Sequence, residues 1–311
     1  MNIIFQKVKV FFDVFKRAVK EFIGDNAIKH SASLSYYTIF ALGPLLIIIP
    51  ALAGVFFGRE AVQGKIYGQI KGLVGSSAAL QVQEIIQNIE KLDQGITGAI
   101  VGFILLIIGA TGVFTEIQDS INYIWSIKSK PKKGWLKLII NRLLSFSLII
   151  GLGFILLVSL VVNALMDIVN EKLARFFPDV TVYIFYVLNI AIIFVVIALL
   201  FAVIFKVLPD ATIRWKDAFV GSFFTAFLFL LGKLLIGLYL GNSNIGVTYG
   251  AAASVVIILL WVYYSSIILY FGAEFTKVYT IHYGSGIKPH DTAVFIIKRE
   301  AKEILPSHFD E

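Results

Sequence analysis

The chain has 311 residues, of which 58% are hydrophobic and only 15% charged, a balance outside the usage of water-soluble domains. A net charge of +7 would suggest nucleic acid in a soluble protein, but in a chain this apolar it is first a topological signal to be mapped onto loops. The absence of cysteine excludes disulfides, thiolate metal sites and cysteine nucleophiles.

The first thirty residues lack the continuous apolar run of a cleavable signal peptide. Over residues 3–23, Phe5, Val8, Phe12, Phe15, Val19 and Phe22 recur at helical spacing, with Lys9, Lys16, Arg17 and Lys20 on the other faces. The pattern predicts a basic amphipathic helix, either lying in the interface of an anionic inner leaflet or docking as a soluble helix on a partner. A first membrane span follows over 34–57. Pro44 and Pro50 break it, and Ser31, Ser35 and Tyr36 cluster at its start. Residues 58–96 leave the membrane, where Val82, Ile85, Ile86, Ile89 and Leu92 predict an external helical hairpin interrupted at Gly75-Ser76-Ser77.

The second span is predicted over 96–119 and continues as a helix to Trp125. Gly98, Gly102, Gly109, Gly112, Glu116, Asp119 and Tyr123 share one face, which predicts close packing that carries both acids into the end of the bundle. Glu116 and Asp119, one turn apart, repel unless a cation or proton lies between them, and Arg142 is the nearest basic residue by topology. A plain helix end anchored by acids and amides would look the same. Further spans are predicted over 138–166, 182–205, 218–240 and 249–274, with residues 281–311 as a polar tail.

The N-terminal helix, the 128–142 loop, the 206–216 loop and the tail carry most of the 27 basic residues. Placing them on the cytoplasmic side predicts an all-α polytopic membrane protein with six spans in one membrane domain, residues 1–280, and both ends cytoplasmic. The basic charge is thereby explained without nucleic acid. Lys233 falls within the fifth span, where it either snorkels outward or projects into a polar cavity near Tyr249 and Asn242. Glu274, at the inner end of the last span, is either an interfacial anchor or part of a charged layer with Glu116, Asp119 and Arg142. Tyr249, Tyr263 and Tyr270 lie on the Glu274 face at seven-residue steps.

Three segments together resemble the YihY/BrkB family of bacterial inner-membrane proteins: LSYYTIFALGPLL at 34–46, GVFTEIQDSINYIW at 112–125, and the stretch from LPDATIRWKDAFVGSFF through YGAAASVVIILLWVYYSSIILYFGAEFTKVY. The resemblance implies a six-helix protein of the bacterial cytoplasmic membrane, linked in some members to virulence and formerly carrying a ribonuclease label. It transfers no catalytic residues. A hydrolytic nuclease needs clustered metal ligands, whereas His30, His282, His290 and His308 are scattered. The chain is therefore expected to be no nuclease, and neither a metal nor another cofactor is expected. No GxxxxGK[ST] motif points to ATP. Broken helices and intramembrane charges favour a protein that translocates or handles a lipid or other amphipathic substrate, with a non-catalytic envelope scaffold as the alternative. Oligomeric state is not legible.

Overall fold

The computed structural model describes residues 3–41, 80, 83, 96–130, 178–242, 249 and 252–298. Arg142, Pro44, Pro50, the external hairpin apart from two isolated residues, and the third predicted span lie outside the described residues. The described part is mostly helical: α1 (Ile3–Gly24), α2 (27–41), α3 (Ile96–Ile124), α4 (Pro178–Val207), α5 (Trp215–Asn242) and α6 (Ala253–His282). Three helical segments are long and apolar enough to cross a membrane, Val187–Val207, Trp215–Leu240 and Ala253–His282. They coincide with the fourth, fifth and sixth predicted spans. The last helix runs to His282, about two turns further toward the tail than the predicted span.

Helices α5 and α6 pack antiparallel, in a register set by reciprocal glycines. A Cβ placed on Gly221 would strike the Thr276 side chain, and one on Gly272 would strike Thr225. Further along the pair, Gly232 lies against the Tyr264 hydroxyl. Each threonine folds its hydroxyl back onto the glycine carbonyl of its own helix, Thr225 to Gly221 at 2.7 Å and Thr276 to Gly272 at 2.6 Å. The sequence Gly-x-x-x-Thr thus occurs on both helices, and small residues with internally satisfied hydroxyls let the two backbones approach.

One end of the bundle holds most of the buried core. Ile117, Ile121, Ile124 and Trp125 of α3, Phe201 and Phe205 of α4, Ala218 of α5, and Leu269, Tyr270 and Ala273 of α6 form a continuous apolar cluster there. The Trp125 indole donates to the Ala273 carbonyl at 3.1 Å, tying α3 to α6. Toward the other end of α5, Phe227, Leu234 and Leu238 are exposed, the apolar surface that a membrane span presents to lipid.

Helix α1 docks on α6 through Val14, Ala18 and Phe22. Its edge is lined by aromatic contacts, Phe15 on Phe271 at 5.6 Å and Phe22 on Phe271 at 5.5 Å, beside the stacked Phe224–Phe275 pair at 3.8 Å. The predicted apolar stripe is therefore split. Phe22 is buried, Phe15 sits at the margin, and Phe12 is 66% exposed.

The tail folds onto the loops. Strand β1 (Ile127–Ser129), after α3, pairs antiparallel with β4 (Ala293–Phe295), and β2 (Ala211–Thr212), after α4, pairs with β3 (Lys288–Pro289). Ile287 and Ala293 enter the main core. Up to Lys298, then, the predicted polar tail forms part of the packed end of the protein.

Candidate functional site

The site is built where α1 ends, α2 begins and α6 passes. Asn26, with φ of 53°, takes the left-handed conformation that asparagine tolerates and closes α1 so that α2 starts at once. That turn sets Glu21 and Asp25 at the C-terminal end of α1, where the helix dipole disfavours carboxylates. Two lysines from distant parts of the chain offset this. The Lys277 Nζ lies 2.6 Å from Glu21 Oε2, 3.3 Å from Asp25 Oδ2 and 3.3 Å from Glu274 Oε2. The Lys298 Nζ lies 2.6 Å from Asp25 Oδ2, donates to the Ile124 carbonyl at 3.4 Å, and stands 4.3 Å from the centre of the Tyr123 ring.

These five side chains form one node joining α1, α6 and the tail. Glu274 is fully buried, and Lys277 and Asp25 keep only about a tenth of their side-chain surface. Ions at such depth lose several kcal/mol of hydration each, so they persist only when paired. Burial pushes the Asp25 carboxyl upward, but the hydrogen bond from Lys298 and the charges of both lysines leave it below the ordinary carboxylate value. Among the described residues, three buried side-chain oxygens have no hydrogen-bond partner, all on α6: the Tyr270 hydroxyl, Glu274 Oε1 and Thr280 Oγ1.

A second polar group adjoins the node on α2 and α3. His30 Nδ1 is 3.1 Å from Ser120 Oγ, which is 3.4 Å from Glu116 Oε1. Burial holds the His30 imidazole below its usual pKa, toward the neutral form. A third group braces the loops. Asp210 accepts from Gln118 at 3.1 Å and from Asn122 at 3.0 Å, and its own amide donates to Asn122 at 2.8 Å. Asp217 accepts from the Ser285 amide and hydroxyl.

Of the residues singled out in the sequence, Glu274 is a member of the node and Glu116 lies beside it. Asp119 departs from expectation: it is exposed, while its neighbours Gln118 and Ser120 are buried. From Ile117 to Trp125, α3 is enclosed on most sides, so stepping along a glycine face does not identify which acid turns inward. Gly109 and Gly112 do make close approaches, to Ala41 and Tyr37 of α2. Lys233 is level with Tyr264, ten residues from Glu274 along α6 and so about 15 Å from it along the axis; it belongs to a different layer. Tyr249 is 52% exposed.

A family model described as Virulence factor BrkB matches residues 18–294. The chain belongs to the BrkB virulence-factor family. Its relatives include a UPF0761 membrane protein of Verminephrobacter eiseniae, 29% identical over 79% of this chain and 57% of the relative. Another, from a Psychrobacter species, is 27% identical over 89% of this chain and 50% of the relative. This BrkB-family chain thus spans little more than half the length of these curated relatives. A shorter relative, from Psychromonas ingrahamii, is 25% identical over 88% of this chain and 90% of its own length. No solved structure matches the chain.

The BrkB match contains Glu21, Asp25, Glu274 and Lys277, and ends four residues before Lys298. Sequence reasoning found only Glu274 of the five. The spacing of Glu274 and Lys277, three residues apart at the end of an apolar helix, was the one local signal for the rest. The contact from Lys277 to Asp25 spans 252 residues, which no periodicity reveals.

Proposed function

We propose that this membrane protein handles a lipid or other amphipathic substrate, with the charged node as its working part. The observation that carries this reading is a set of five ionisable side chains, one fully buried, joining α1 to the end of a membrane-spanning helix. Charges kept at such a place are costly to retain and recur where polar groups enter or cross the membrane. The exposed face of α1 carries Phe11, Phe12 and Ile23 together with Lys16 and Lys20, a composition suited to an anionic lipid surface. In this reading the chain has six spans in the bacterial inner membrane, both of its ends are cytoplasmic, and α1 lies in the inner interface. It binds no nucleic acid and performs no covalent chemistry.

The second reading is an envelope scaffold. It is favoured by the tail strapping both loops, with Lys128, Lys130, Arg214, Lys216 and Lys288 exposed on the strapped segments, basic groups suited to docking an acidic partner.

Reconstitution separates the two. Liposomes containing the purified protein and a panel of headgroup-labelled phospholipids should show translocation at least tenfold faster than protein-free liposomes. If every probe moves at the protein-free rate, the substrate-handling reading is wrong and the scaffold stands.

A further inference from the structure

We infer that the node is a proton-binding site in which the proton is held between the carboxyls of Glu274 and Asp25. Resting on the substrate-handling reading, we take this proton to be the ion that drives the cycle.

Three features of the node point to it. The first is charge: Glu21, Asp25 and Glu274 supply three negative charges, and Lys277 and Lys298 only two positive ones. Glu21 lies partly in water, but among the described residues the fully buried Glu274 meets no ammonium except Lys277, which it shares with Glu21 and Asp25, so a charged Glu274 is under-compensated in a low-dielectric interior. The second is proximity: a single ammonium, Lys277 Nζ, stands 3.3 Å from both Asp25 Oδ2 and Glu274 Oε2 and so gathers the two carboxyls around one cation. Two carboxylates have only acceptors and repel when gathered in this way, whereas a single shared proton turns repulsion into a bond. The third is the Glu274 Oε1 oxygen, buried and without a partner among the described residues, while Oε2 takes its hydrogen bond from Lys277. A proton on Oε1 neutralises the set, supplies the missing donor and satisfies the orphaned atom.

The surrounding groups leave that role unfilled. From α1 come Glu21 and Asp25, from α6 Lys277, and from the tail Lys298. His30 of α2 is held toward its neutral form and engaged with Ser120, so it adds no positive charge. Glu116 of α3 lies beyond it, accepting from Ser120 at 3.4 Å. Glu21, with 36% of its side chain exposed, is the member that meets water and offers the proton a way in.

Occupancy is linked to shape. Once Glu274 is deprotonated, the buried excess of negative charge is relieved if α1 separates from α6 and admits water. The proton therefore favours the closed arrangement of the two helices, and its loss favours an open one.

Infrared difference spectroscopy of the full chain in lipid, between neutral and alkaline pH, reads the proton directly and needs no substrate. Wild type should show a protonated-carboxyl absorption at neutral pH that disappears on alkalinisation and is missing from Glu274→Gln. Identical wild-type and Glu274→Gln spectra in that region would overturn the proposal. So would sodium, added at constant pH, displacing the signal, since the occupant would then be a metal cation. If Glu274→Gln fails to accumulate, Asp25→Asn serves instead. It keeps the proton but changes its partner, so the absorption should shift, and an unmoved band counts against the site. Because no transport is measured, failure here leaves the substrate-handling reading open, and failure of lipid movement leaves the proton site open.

Discussion

Asp25 is the residue on which both ammonium groups converge, and its behaviour with pH follows from them. Its carboxyl is held below the ordinary value of 3.8, so the folded protein keeps it ionised where the unfolded chain would take up a proton. Stability from this group is therefore fully present above the unfolded value, and is lost as pH falls through the lowered folded value. Asp25→Asn should lower unfolding stability at neutral pH by roughly 3 kcal/mol, the lower end of the cost of removing one partner from a buried ion pair. It should also flatten the loss of stability below about pH 4. Thermal denaturation of both proteins from pH 7 to pH 3 checks this; parallel curves would mean that Asp25 is not held by the lysines. At this scale the sequence was only partly legible. Glu274 stood out because an apolar helix rarely ends on a buried acid. Lys277 looked like one more basic residue at a membrane boundary until α1 and the tail brought two carboxylates and a second lysine to it. Asp119 has the spacing of the Glu116 face and yet is exposed; how far that face extends inward depends on packing, which spacing does not encode.

Helices α5 and α6 were the most legible elements, because an uninterrupted apolar length announces a span regardless of its neighbours. Their pairing was hidden in two Gly-x-x-x-Thr repeats that meet in opposite directions, Gly221 on Thr276 and Thr225 on Gly272. Gly272→Val should drive a branched side chain into Thr225 and cost roughly 1–3 kcal/mol, in line with other overpacked interiors. Adding Thr225→Ala should recover part of the lost folded yield, measured by size-exclusion chromatography in detergent. A double variant no better than the single one would show that the register is held elsewhere. Helix α1 was legible as an amphipathic element, but its buried side was misjudged. Val14 and Ala18, being small, set the approach to α6, while the bulky Phe12 turns outward. The tail was illegible because its strands are two or three residues long, too short for any periodicity, and their partners lie in loops some 80 and 170 residues away.

Across the whole molecule, the described residues divide into a polar, tightly tied end and an apolar stretch. The node, the His30 and Ser120 group, the Asp210 brace and both strand pairs gather where α3 and α4 finish and α5 begins, with α6 ending among them. Beyond them, α5 offers lipid a surface of exposed leucine and phenylalanine. Such an arrangement concentrates whatever the protein does at one membrane interface, and makes α1, tied to α6 by the node, the element best placed to move. In this reading the node works and does not merely hold the fold. Glu274→Gln separates the two roles, because the change preserves shape and removes only the titrating group. In reconstituted liposomes, phospholipid translocation by Glu274→Gln should fall to the protein-free rate at every pH between 6 and 9, while its melting temperature at neutral pH stays within about 4 °C of wild type, the shift expected of less than about 1 kcal/mol in a chain of this size. Wild-type translocation by that variant, or a loss of flux that only follows a loss of stability, would contradict the account.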